Sequence, residues 1–204
     1  MAWFAQDPLG TPTCAAEAEW QSYVRTSVAT LTLALMGLPL TLQRLAPVYI
    51  NANESNNFWI TRGNPQQPGT HRLGWVPSLQ LPALLSKDGP IEHRLNEQWL
   101  VNLFTFWEQV YRPLIAEQRG VPVDEVVVPP MGDVRHLRND ILHHRGIASR
   151  DNSGKCAVFQ NWVVVGQPII ITTDRLYELL DALHLPLTVV DAGGDWGEGR
   201  PLFG

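Results

Sequence analysis

One stretch of the chain gathers side chains suited to proton transfer and anion binding. It runs Gly132-Asp133-Val134-Arg135-His136-Leu137-Arg138-Asn139-Asp140-Ile141-Leu142-His143-His144-Arg145-Gly146 and holds three of the six histidines. Across residues 134–150, Arg135, Arg138, Arg145 and Arg150 face a single acid, Asp140. That is +3 in a chain of net charge −5, so the remainder carries −8. On a helix, at about 100° per residue, Val134, Leu137 and Ile141 share one arc, which is the expected core face. Arg135, Asn139 and His143 follow at four-residue steps on another arc, and Gly132 and Gly146 leave both its ends uncluttered. Arg138 lies at the border, where its stem can be buried while its guanidinium reaches the polar side. Histidine exchanges a proton near neutral pH, and a guanidinium makes charge-assisted bonds to anionic oxygens. Asn139, one turn from His143, is expected to fix the imidazole tautomer. A merely solvated face would more usually mix Glu with Lys.

Other chemistries fit less well. His136, His143, His144 and a cysteine lack zinc-ligand spacing. No Gly-x-Ser-x-Gly elbow supplies a serine nucleophile. The run Gly193-Gly194-Asp195-Trp196-Gly197-Glu198-Gly199 follows no strand–helix pattern and lacks a phosphate-loop lysine. Neither a metal nor a cofactor is expected.

The elements that must hold the site follow from periodicity. Thr11-Pro12-Thr13 looks like a helix start, with Glu17 and Glu19 in the early turns. Trp20, Val24, Val28, Leu31 and Leu35 recur at three- and four-residue steps, predicting a helix over about 13–37, ended by Gly37 and Pro39. Residues 46–90 are broken by Pro47, Pro65, Pro68, Pro77, Pro82 and Pro90 and read as ordered irregular structure, with short strands at Val48–Asn51 and Phe58–Thr61. Asp88-Gly89-Pro90 starts a long helix. Ile91, Leu95, Trp99, Leu103, Trp107, Val110, Leu114 and Ile115 form its stripe to about Gln118, with Gly120 as stop. Pro129-Pro130 opens a third helix, Met131 to Arg145, closed by Gly146. Trp162–Val165 and Ile169–Ile171, flanking Gly166-Gln167-Pro168, predict a β-hairpin. Thr173-Asp174 caps a last helix carrying Leu176, Leu179, Leu180 and Leu183.

Composition bounds the rest. The chain has 204 residues, 45% hydrophobic and 17% charged, with eight Trp. A chain of this length buries roughly 70% of its unfolded surface and needs no staples. Disordered, collagen-like and disulfide-scaffold readings are excluded. The acidic balance argues against a protein coated in basic charge for general nucleic-acid binding, while leaving room for a local basic site. Cys14 and Cys156 are expected to be buried free thiols in a reducing compartment. The run between Arg25 and Arg44 is too polar and too broken by Pro39 for a convincing membrane span. A cytoplasmic protein with no membrane partner is expected. We expect residues 1–90 to be an N-terminal helix plus a Pro-rich segment packed on a core formed by 91–190, followed by a Gly-rich acidic tail, 191–204.

Arg138-Asn139-Asp140-Ile141-Leu142-His143 resembles the Arg-Asn-x-x-x-His motif of the HEPN family (higher eukaryotes and prokaryotes nucleotide-binding). Its place, on a helix after a long helix and just before Gly146, is also similar to that family. The resemblance implies a mainly α, HEPN-like helical bundle over about 91–185, with the β-hairpin and the irregular N-terminal part as elaborations. It implies a metal-independent endoribonuclease of a prokaryotic defence or toxin–antitoxin system. RNA supplies its own nucleophile, the 2′-hydroxyl. Cleavage then needs a base, an acid and a cation on the developing phosphorane charge. Arg138, Asn139 and His143 would carry catalysis, and Arg135, His144 and Arg145 would contact RNA, tRNA among the substrates considered. One motif supplies only one proton carrier, so a homodimer through helix 131–146 would complete the site. Glu108 could pair with Arg138 or Arg135, and an ordinary surface role is its plainer reading.

Two other readings compete. One is a non-catalytic HEPN-like subunit that binds nucleotides, or a partner such as an antitoxin or a defence complex. The other is a metal-dependent hydrolase using the histidines. Residue types alone leave them standing.

Overall fold

The computed structural model describes residues 12–62, 67 and 69–185. The Gly-rich tail and Thr11 of the expected helix start lie outside these. The fold is mainly helical, with one small two-stranded antiparallel sheet.

Helix α1 spans Ala15–Arg44. Its buried stripe is the expected one, Trp20, Val24, Val28, Leu31 and Leu35. Its end is not, because the helix runs through Gly37 and Pro39. A proline removes one backbone donor and bends a helix without having to stop it. Beyond Leu35, Leu38 still packs half-buried against the core, while Leu40 is exposed. By length and composition α1 is apolar enough to cross a membrane; one stripe of it packs in the core, and 17% of its most apolar window is buried.

The strand expected at Val48–Asn51 is instead part of a one-turn helix, α2 (Ala46–Tyr49). Pro47 sits in its first turn, where a missing N–H is harmless. The other expected strand is present as β1 (Asn57–Arg62), paired with β2 (His71–Pro77). Trp59 faces Trp75, and a register shift after Ile60 leaves Leu73 as an extra residue. A short helix, α3 (Leu81–Leu85), leads to the long helix. Gly89 caps that helix because a side chain there would collide. An added Cβ would lie 2.7 Å from the Ser86 carbonyl and 2.8 Å from that of Ala83.

The long helix is α4 (Pro90–Phe106), continued through a π turn at Trp107–Tyr111 into α5 (Arg112–Arg119). Pro113, two residues past the π turn, cannot donate to the carbonyl four residues back, so the wider turn sits where the ladder is already broken. Trp107 is buried there against Trp20, with ring centroids 5.2 Å apart. Helix α6 spans Pro129–His143, close to the expected bounds. Arg145 (φ 56°) and Gly146 (φ 73°) then turn left-handed, and the Gly146 N–H donates to the Asp140 carbonyl.

The hairpin expected at 162–171 does not form. The turn does, with Gly166 at φ 85° and the Gln167 N–H on the Val164 carbonyl. Its arms pair elsewhere. Ile147 bridges Pro168, the Ile169 N–H reaches the Gly146 carbonyl, and Trp162 ends a short 3-10 turn. Ile169 and Ile171 are buried in the core; the Ile169 N–H is taken by the segment leaving α6, and the Ile171 carbonyl accepts from the Asn96 amide of α4 at 2.9 Å. Helix α7 (Thr173–Ala182) is capped by Thr172, whose hydroxyl accepts from the Arg175 N–H. One cluster joins the stripes of α1, α6 and α7 to Trp99, Leu103, Trp107 and Ile115 of the long helix, and no residue of the β1–β2 hairpin belongs to it. Val110 and Leu114, expected on the same stripe, are exposed instead, because the π turn shifts the helical phase from Trp107 onward.

Candidate active site

Helix α6 carries the site and is held by its own acids. Val134 and Leu137 are fully buried, and Ile141 is half-buried. Asp133 and Asp140, two turns apart, are buried on the same side. The Asp133 carboxylate accepts the backbone N–H groups of Ala157 (3.0 Å), Val158 (2.7 Å) and Phe159 (2.8 Å). That of Asp140 accepts the N–H and hydroxyl of Ser149 (both 2.7 Å), the Asn152 amide (2.7 Å) and the N–H (3.1 Å) and hydroxyl (2.6 Å) of Ser153. Burial pushes the Asp140 pKa up, but the bonds from Ser149, Ser153 and Asn152 outweigh it and hold the carboxyl well below its usual range. The two acids thus pin the connection from α6 to α7 against the helix. Sequence reading missed this role. The signal was a seven-residue spacing of Asp on the apolar arc, followed by a Ser/Asn-rich loop.

The polar face is built differently. A surface groove of about 260 Å³ runs between α4, its π turn and α6, lined by Phe104, Thr105, Glu108, Gln109, Arg135, Arg138 and Asn139. Arg138 is half-buried, as its border position implies. Its Nη1 donates to Asn139 Oδ1 at 2.9 Å, and its Nε is buried without a partner. Asn139 therefore orients Arg138, and no hydrogen bond joins it to His143 among the described residues. Arg135 is exposed at the groove. Glu108 neutralises neither arginine of α6, because it pairs with Arg112 at 3.1 Å.

The structure brings Arg135, Arg138 and Asn139 together and sets the other expected residues apart. His143 stands exposed in the last turn of α6, outside the groove lining. His144 is exposed, with Nε2 4.0 Å from Asp140 Oδ1. Arg145 is exposed at the left-handed turn. The His136 Nδ1 is buried without a partner. Among the described residues, no three of His, Cys, Asp and Glu converge as metal ligands. Both cysteines are free. Cys14 is half-buried, and Cys156 is buried. Burial, with the nearby charges of Asp133 and Asp140, pushes the Cys156 thiol up to about 12, so it is no thiolate nucleophile at neutral pH.

No family model matches the chain, and no curated protein or solved structure matches it.

Proposed function

We propose that this protein is a HEPN-type endoribonuclease that needs no metal and whose site lies on the polar face of α6. The observation that carries the reading is Arg138, at a groove that also holds Arg135 and Glu108. A half-buried guanidinium is held at a groove by one hydrogen bond, from Nη1 to Asn139. Its Nη atoms keep further N–H groups, and a phosphate oxygen in the groove accepts such donors in charge-assisted bonds. Arg135 adds a second positive charge at the same groove.

Cleavage proceeds by attack of the RNA 2′-hydroxyl on the adjacent phosphorus. The O–P bond forms as the bond to the 5′-oxygen breaks, leaving a 2′,3′-cyclic phosphate and a 5′-hydroxyl. Arg138 balances the charge growing on the phosphorane oxygens. His143 moves a proton, as base on the 2′-hydroxyl or as acid on the leaving oxygen. One α6 helix has one such histidine in its motif, so the proposal includes a homodimer through this face. His144 and Arg145, exposed beside it, take RNA-contact roles. A setting in prokaryotic defence and in the cytoplasm belongs to the same proposal.

The deciding experiment incubates purified protein with total tRNA in excess EDTA, beside His143→Ala. Cleavage by the first and not the second supports the reading. Equal cleavage by both overturns the assignment of His143.

One observation favours the non-catalytic alternative, a subunit that binds nucleotides or a partner. His143 is exposed and has no hydrogen-bond partner among the described residues, so none of them fixes its tautomer. That reading predicts RNA or partner binding with no turnover in the same assay.

A further inference from the structure

The β1–β2 hairpin is the part of the described chain that the α6 site leaves unexplained. Its apolar side chains do not enter the core. Trp59 is 41% exposed, Trp75 54% and Leu73 69%. Strand alternation places Trp59 and Thr61 on one face, and their cross-strand partners Trp75 and Arg72 share it. The Arg72 guanidinium lies 4.5 Å from the centre of the Trp59 ring. Trp59 and Arg72 form one wall of an open hollow of about 340 Å³, whose other walls carry the polar side chains of Thr61, Thr70 and Gln67. Residues 57–77 include Arg62, His71 and Arg72 and no Asp or Glu, in a chain of net charge −5. The face is thus two indole rings, a stacked guanidinium and neutral hydrogen-bonding groups, with its charge opposite to that of the whole molecule.

We infer that this hairpin face binds unpaired nucleotides of the RNA that the α6 site cleaves. The inference deepens the proposed function and rests on it. Indole rings stack bases of any identity, and an arginine layered on a ring adds cation–π attraction and phosphate contacts. Residues 57–77 bring no acid to repel phosphates, in a chain whose net charge is negative. The occupant is therefore single-stranded RNA, read by stacking with little preference for sequence.

The test is fluorescence anisotropy of the full chain with a short, labelled 2′-O-methyl oligouridine in EDTA. That probe lacks the nucleophilic hydroxyl, so binding is measured without cleavage. Trp75→Ala should weaken binding about tenfold or more, and Trp75→Tyr should restore most of it. Arg72→Gln should weaken binding and flatten its salt dependence. Circular dichroism and the unfolding midpoint should stay unchanged, because the hairpin contributes nothing to the core cluster. If the unaltered protein does not bind the probe, or Trp75→Ala binds it equally well, the inference is overturned. In the second case the tryptophan face serves a protein or lipid surface. His143→Ala in the tRNA assay keeps the two ideas separate. Cleavage that survives that substitution, alongside lost probe binding by Trp75→Ala, would remove the α6 reading and leave the hairpin reading standing.

Discussion

The two faces of α6 use ionised groups in opposite ways. On the buried face, Asp133 and Asp140 have their lone pairs filled by backbone and side-chain donors from residues 149–159. On the open face, Arg135 and His143 make no hydrogen bond among the described residues, and Arg138 uses one of its five N–H donors, on Asn139. Charges that serve the fold are satisfied internally; charges available to a ligand are not. The contrast separates stability from recognition on one helix, so substitutions on its two faces should report different quantities.

The largest effect is expected at the buried face. Asp140→Ala strands the Ser149, Asn152 and Ser153 donors and should cost about 3–5 kcal/mol, read as a lower urea midpoint at neutral pH. A loss below about 1 kcal/mol would break the contrast. On the open face, His143→Ala should lower RNA cleavage by about a hundredfold or more while moving unfolding stability by less than about 0.5 kcal/mol. A matching loss of stability would show that the histidine is structural.

Acidification separates the faces next. The folded Asp140 carboxyl titrates below its unfolded value, near 3.9. Its contribution is therefore complete above that value and is lost as pH falls through the depressed folded value. The unaltered protein should lose stability below about pH 4, and Asp140→Asn should show a flatter profile there. Urea midpoints measured across that range check it. The smallest effect is expected at Asn139→Ala. Arg138 loses its one hydrogen bond, so RNA affinity in EDTA should fall by about tenfold or less, with stability changed by about 1 kcal/mol. No change in affinity would leave Asn139 without a positioning role.

Helix positions were legible where one apolar stripe decided them. The stripe of α1, the start at Pro90, the stop at Gly120 and the span of α6 all follow from spacing, proline and glycine. The border position of Arg138 was legible for the same reason. What failed depended on distant partners. Ile169 and Ile171 have a strand-like sequence, but the segment leaving α6 takes the Ile169 N–H and Asn96 of α4 takes the Ile171 carbonyl. Val48 and Ile50 favour a strand, but Pro47 fits a helical first turn. The role of Asn139 was misjudged because an amide one turn from His143 is also adjacent to Arg138, and only the side-chain direction decides between them. Asp140 entered the sequence reading only as a charge, because its partners lie nine to thirteen residues away in a segment with no periodicity.

The placement of Trp20 has a practical consequence. Its indole is wedged against Trp107, 5.2 Å away, and Tyr111, 5.3 Å away, on the far side of the expected boundary near residue 90. A recombinant fragment that begins at Pro90 would leave that aromatic nest open to solvent. Such a fragment should be sticky and poorly soluble. Domain-mapping, fusion and crystallisation efforts should therefore retain the N-terminal helix.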